Sequence, residues 1–313
     1  DTNVQDPADT IFKTIAGSQN YESKLKVATN ALQVSRLTRQ ALVSDSPFKM
    51  KPDDVRVCKK AGVSLFKENN EHFVVAGLVV AVGTSVTDLK VGDHVVGFTK
   101  SDDPYAIFTK ADLHQLPENL PWTEAADYIR DFSLAHLGLV RKLRLKSGDN
   151  VMCTSGNSAV GRAAALIAQI HGAHVFIAGS DGKDFEWIRG LKNVHVTNLE
   201  SLVFREELMS LTNGRGINIV VNTEDECIPN VIVENLAIRA KICCLGVKVA
   251  SCVIAPNIRQ VVVNFLPYLN TARGKDELQA AVSKVTEYLK NGELKPLSVE
   301  NSTESITSHP NES

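Results

Sequence analysis

Residues 151–172 read VMCTSGNSAVGRAAALIAQIHG, and the fold of the whole chain follows from how they are parsed. The first five, VMCTS, suit a buried strand. A glycine-bearing turn, GNSAVG, follows, and then a helix whose Ala163, Ala164, Leu166, Ile167 and Ile170 leave one apolar face for a sheet. Strand, tight turn and helix in this order aim backbone N–H groups at a pyrophosphate in an open α/β sheet. The turn departs from the dinucleotide fingerprint. It reads Gly156, Asn157, Ser158, Ala159, Val160, Gly161, so a serine stands where the middle glycine belongs.

Working outward, strands are expected at residues 174–178, 194–197, 217–222 and 241–246, with helical stretches near 204–212 and 228–238. This alternation has the spacing of βαβ units and predicts a parallel, doubly wound sheet. A helix is expected from Trp122, with Pro121 at its start and Thr123 and Glu124 suited to capping. Residues 261–268 form a further apolar run, and residues 277–291 an amphipathic helix closed by Gly292. Toward the amino terminus, residues 55–57, 73–82 and 94–98 are strand-like runs parted by Gly83-Thr84 and Gly92-Asp93, a small β-rich module. Residues 22–37 suggest two strands about Thr29-Asn30, residues 1–17 a short surface helix, and residues 298–313 a polar tail.

A chain of 313 residues, 43% hydrophobic and 22% charged, has the composition of an ordinary globular protein and room for two domains. A net charge of −2 gives no reason to expect nucleic acid or an anionic membrane as partner. No apolar run reaches bilayer-spanning length, no signal peptide is read, and the opening Asp1 points to an excised or processed segment. The cysteines at 58, 153, 227, 243, 244 and 252 read as buried thiols of a cytoplasmic protein, with no disulfide framework. His72 and His94 read as surface or strand-edge residues. No set of three or four ligands assembles, so no zinc is expected. The loop Gly179-Ser180-Asp181-Gly182-Lys183 suits an NADP ribose phosphate, because Ser180 donates a hydrogen bond and Lys183 supplies charge. Asp181 opposes that reading, and a polar surface loop is its alternative.

Several segments carry a resemblance. Residues 74–98, VVAGLVVAVGTSVTDLKVGDHVVGF, resemble the GroES-like, barrel-type first domain of medium-chain dehydrogenases and reductases. The turn at residues 151–172, the Gly-Ser-x-x-Lys loop and TNGRGINIVVN (residues 212–222) occur in the order seen in enoylreductase domains of polyketide and animal fatty acid synthases. The lead-in YESKLKVATNALQVSRL and the late NGELKPL are similar to that family as well, and the arrangement looks most like fungal highly reducing iterative synthases of the lovastatin-nonaketide type. The resemblance implies a lead-in and substrate domain over residues 1–121, a Rossmann domain over 122–270, a return over 271–297 and a tail over 298–313. It further implies hydride transfer from NADPH to an enoyl thioester on an acyl carrier domain, neighbouring synthase domains, and a second copy paired through residues 261–268.

Measured against that family, the chain departs repeatedly. The turn A-x-G-G-V-G has become Asn157-Ser158-Ala159-Val160-Gly161, and the segment carrying a tyrosine proton donor is missing after Ala61-Gly-Val-Ser-Leu-Phe66. Arg130 and Asp131 interrupt an apolar stretch, Leu134 replaces a threonine, and residues 198–204 lack an aspartate. After Asn222, the run Thr223-Glu-Asp-Glu226 places three carboxylates near the expected cofactor. Lys183 is the one catalytic candidate retained. The resemblance thus assigns Gly156, Ser158, Ala159, Val160, Gly161, Ser180, Lys183, Asn222 and Gly246 as vestigial or weak cofactor positions. The expectation is an enoylreductase-like domain that is catalytically silent, with reduction supplied by a separate trans-acting reductase. The alternatives are an active NADPH-dependent enoyl reductase and a free-standing quinone-reductase-like oxidoreductase.

Overall fold

The computed structural model describes residues 50–65, 72–101, 103–118, 120–179, 187–188, 190–246 and 258–294. Apart from Met50 these lie in one compact unit, Lys51–Ser313. The expected amino-terminal helix, the strand pair of residues 22–37 and the tail fall outside the described residues.

Two sheets organise the unit. Five antiparallel strands, β1 (Asp54–Ser64), β2 (Phe73–Val82), β3 (His94–Thr99), β4 (Tyr105–Thr109) and β5 (Leu113–Gln115), lie in the order β4-β1-β2-β3-β5. Alternation along β2 serves two cores. Val75 and Val79 pack with Val55, Val57, Val95 and Phe108, while Val74 and Ala76 face the larger core beside the second sheet.

The second sheet holds β6 (Asn150–Cys153), β7 (His174–Ala178), β8 (Val194–Thr197), β9 (Ile217–Asn222), β10 (Leu236–Leu245) and β11 (Arg259–Val263), all parallel, in the order β11-β10-β9-β6-β7-β8. Both faces are covered, so the central strands are largely apolar. Val151, Cys153, Val221 and Cys243 face one core; Met152, Val220, Ile242 and Cys244 face the other.

Helix α1 (Trp122–His136) lies in the larger core through Ile129, Phe132 and Leu134, and runs on into a π-helical turn, Leu137–Lys142. Helix α2 (Ala159–Ile170) covers the same side of the parallel sheet with Ala163, Ala164 and Ile167. Helix α3 (Phe204–Leu211) and the short α4 (Asn230–Val233) cover the other side with Phe204, Leu208 and Ile232. Helices α5 (Leu266–Asn270) and α6 (Ala272–Lys290) complete the unit. Helix α6 touches both halves. Its Gln279 accepts from His114 Nε2 of β5, its Glu277 accepts from Lys142 Nζ at 3.0 Å, and the Tyr288 hydroxyl stands 3.2 Å from His171 Nε2.

The structure corrects several expectations. The helix expected over residues 228–238 is one turn, because Ile217 N donates to Asn235 O and draws the chain back into the sheet, starting β10 at Leu236. Helix α6 begins at Ala272, since the Thr271 hydroxyl accepts from Gly274 N and fixes an earlier start. Pro121 itself is the N-cap of α1, and no side chain caps it. His72 is buried, and His94 lies against the Trp122 ring at 4.1 Å. Cys153, Cys243 and Cys244 are buried thiols as expected, but Cys58 is half-buried and Cys227 is disulfide-bonded.

Candidate nucleotide-binding crevice

Strand succession reverses between β9 and β6, and in an open α/β sheet the ligand crevice lies beyond the carboxyl ends of the two strands at that reversal. The residues there are Thr154 and the turn after β6, and Asn222 with Thr223 after β9.

Hydrogen bonds join the two strand ends. Thr154 N donates to Val221 O at 3.0 Å, and Thr154 Oγ1 reaches Val221 O at 3.3 Å and Asn222 Oδ1 at 3.2 Å. Asn222, itself buried, accepts from Glu224 N at 3.1 Å and donates through Nδ2 to Glu226 O at 3.0 Å. One amide thereby pins the turn that carries the three exposed carboxylates Glu224, Asp225 and Glu226.

Ser158 is the N-cap of α2. Its Oγ accepts from Gly161 N at 3.0 Å, approaches Ser155 O at 3.1 Å and lies 3.1 Å from Thr223 Oγ1. The position read as a replaced glycine therefore satisfies a helix N-terminal N–H from within the chain. Gly161 keeps the role of the third fingerprint glycine: a Cβ there would fall 1.8 Å from Ser155 O, so only glycine lets helix and turn approach. Gly156 is buried, Ala159 exposed and Val160 half-buried against the larger core. Gly246 ends β10 with φ +69°, and a Cβ there would meet Leu134 Cδ2 at 3.3 Å. Leu134, 3% exposed, thus covers the glycine from α1. Ser180 and Lys183 lie outside the described residues.

A pyrophosphate needs helix N-terminal N–H groups and room for close backbone approach. Here the Gly161 N–H has an internal acceptor, two hydroxyl side chains meet across the strand ends, and carboxylates follow β9. Each of these features opposes close approach of a pyrophosphate at this turn. Among the described residues no group of three or more His, Cys, Asp or Glu is placed to hold a metal ion. Cys153 and Cys243 are poor nucleophiles, since burial pushes Cys153 up to about 12 and Cys243 higher still. The polar pair in α1 is structural. Arg130 donates to Asp131 at 2.7 and 3.1 Å and reaches Asp127 at 3.0 Å, while burial raises the Asp131 carboxyl above its ordinary range. Thr154 and Thr223 were not foreseen. They follow strands that pair across more than sixty residues of sequence, and only knowledge of that pairing places both at one crevice.

Solved structures place this arrangement. The CurK enoyl reductase superposes with a TM-score of 0.63 at 21% identity, over 80% of this chain and 85% of that one. An alcohol dehydrogenase superfamily protein from Novosphingobium aromaticivorans gives 0.64 at 20% identity, over 79% and 82%. The Escherichia coli quinone oxidoreductase complexed with NADPH gives 0.58 at 17% identity, over 80% and 83%. The fold is that of the medium-chain dehydrogenases and reductases.

No protein-family model matches the chain. Over 151 residues it is 36% identical to the phthioceranic/hydroxyphthioceranic acid synthase of Mycobacterium tuberculosis, and over 149 residues 32% identical to a phenolphthiocerol synthesis polyketide synthase of Mycobacterium bovis. Each match takes in 47% of this chain and 7% of the relative's length.

Proposed function

We propose that the chain is an enoylreductase-like domain of a multidomain polyketide synthase that no longer transfers hydride from NADPH. The observation that carries this reading is the Ser158 hydroxyl, which takes the Gly161 N–H and meets Thr223 across the crevice. The packing of Leu134 over Gly246 and the carboxylates after Asn222 support it. Similarity to mycobacterial synthases supports the setting, with neighbouring synthase domains as covalent partners. The remaining task is architectural: it spaces those domains and joins two copies through the edge strand β11, in the manner of highly reducing iterative synthases. Enoyl reduction then comes from a separate reductase acting in trans. Ser180, Lys183, Asn222 and Gly246 are remnants of the cofactor site.

The test is NADPH fluorescence titration of the folded chain, followed by hydride transfer to a crotonyl thioester. No saturable binding, with an intact circular dichroism spectrum, is the expected result. Micromolar binding lost in Lys183→Ala, with turnover, overturns the proposal. That outcome establishes the second reading, an active NADPH-dependent reductase using an acyl carrier domain, which the retained close approach at Gly161 favours. A free-standing quinone-reductase-like enzyme is the third reading, opposed by the synthase-like lead-in at residues 22–37.

A further inference from the structure

At the amino-terminal end of the parallel sheet, opposite the crevice, β10 departs from its ladder. Leu236 faces Ile217 and Lys241 faces Ile219, so β10 uses five residues where β9 uses two. The excess chain stands out as a knuckle. Ile238 on it is 90% exposed, and Arg239 holds φ +63°, a left-handed conformation unfavourable for a residue with a Cβ. An isoleucine turned into water on a strained backbone has no packing explanation.

Basic side chains surround the knuckle. Lys241 lies opposite Arg259 in the β10–β11 register, and its Nζ reaches Leu143 O at 2.7 Å, which brings in Arg144. Arg215 stands two residues before Ile217, the ladder partner of Leu236. Among the described residues none of Arg144, Arg215, Arg239, Lys241 and Arg259 forms an ion pair. Five cations outside any described ion pair, against the exposed carboxylate Glu234 just before β10, make this edge a local concentration of positive charge in a chain whose net charge is −2.

We propose that this edge is a docking surface for an acidic protein partner, a helical face presenting carboxylates on either side of an apolar seam that receives Ile238. Charge complementarity selects the partner's acids, and the exposed Ile238 selects protein over a polyanion, because a phosphate backbone offers nothing to an aliphatic side chain. Arginine is among the residue types enriched at energetically important interface positions. The surface is independent of the crevice, and its use does not depend on whether NADPH binds.

The test uses the full chain and a labelled synthetic helical peptide with a leucine seam flanked by glutamates, read by fluorescence anisotropy at low ionic strength. Binding should weaken about fivefold or more in Ile238→Ser and in Arg259→Gln, and vanish for a peptide with glutamine in place of glutamate. Thermal unfolding of both variants confirms that each is folded, since both sites are exposed. The Arg239→Asn variant keeps the left-handed conformation and serves as a second charge removal. Full affinity in Ile238→Ser, no peptide binding, or equally tight binding of duplex DNA or phosphatidylserine vesicles overturns the proposal.

Discussion

The Ser158 hydroxyl stands 3.1 Å from the Thr223 hydroxyl, so the helix after the first strand of the parallel sheet is tied to the turn after its neighbour across the crevice. The same Ser158 oxygen receives the Gly161 N–H at 3.0 Å. One side chain therefore serves as helix cap and as bridge.

Replacing this cap separates its two roles. Ser158→Ala should lower unfolding free energy by about 1 kcal/mol, and Ser158→Gly by only a few tenths, measured by denaturant titration. If the bridge obstructs the crevice, Ser158→Gly combined with Thr223→Ala tightens NADPH binding relative to the unaltered chain. Unchanged affinity in that double variant would remove the bridge as the cause of the proposed loss of cofactor binding.

Gly161 admits no side chain. A Cβ there would lie 1.8 Å from a backbone carbonyl that cannot rotate away, so Gly161→Ala should cost about 3 kcal/mol or leave the chain unfolded. Gly292, with φ +73° and open space around its Cβ position, gives the contrast: its alanine variant suffers only the backbone penalty, about 1 kcal/mol.

Acid should weaken the junction of α1, α2 and α6. His136 is 4% exposed, its Nδ1 has no hydrogen-bond partner among the described residues, and burial, helped by His171, Arg141 and Lys284, depresses it to about 4. Unfolding frees it to protonate near the ordinary imidazole value of 6.5. The unfolded chain thus binds more protons between those values, so this stabilisation is present above pH 6.5 and is lost as pH falls toward 4. The loss amounts to up to about 3 kcal/mol. His136→Phe should flatten the pH dependence of the thermal midpoint in that window; an unaltered slope would show that other groups carry it.

Arg130→Met should destabilise by about 2 kcal/mol, because it leaves Asp131 buried without its bidentate partner. The double variant Arg130→Met with Asp131→Leu should recover much of that loss, since an apolar pair avoids the desolvation of both charges. A double variant as unstable as the single one would mean that the pair fixes the helix by shape.

Period and punctuation made most of the fold legible. The run from Val151 to Ile170 declared strand, turn and helix, and the strands at residues 174–178, 194–197 and 217–222 match the structure. The region after Pro229 did not read correctly, because β-branched and apolar residues there satisfy helix and strand alike, and ladder pairing with β9 decides. The crevice was half legible. Ser158 stood out as a missing glycine, but its engagement with Thr223 depends on which strands become neighbours, and local sequence does not encode that. The salt bridge in α1 was visible only as an anomaly, Arg130 and Asp131 in an apolar stretch, until burial showed that each answers the other.

Helix α6 bonds to the antiparallel sheet through His114 and to the parallel-sheet side through Lys142 and His171. A single rod fastened at both ends removes the hinge on which a cleft between two lobes would open. The two lobes are therefore expected to melt together, and either one cut away from α6 is expected to lose the contacts this helix makes to it.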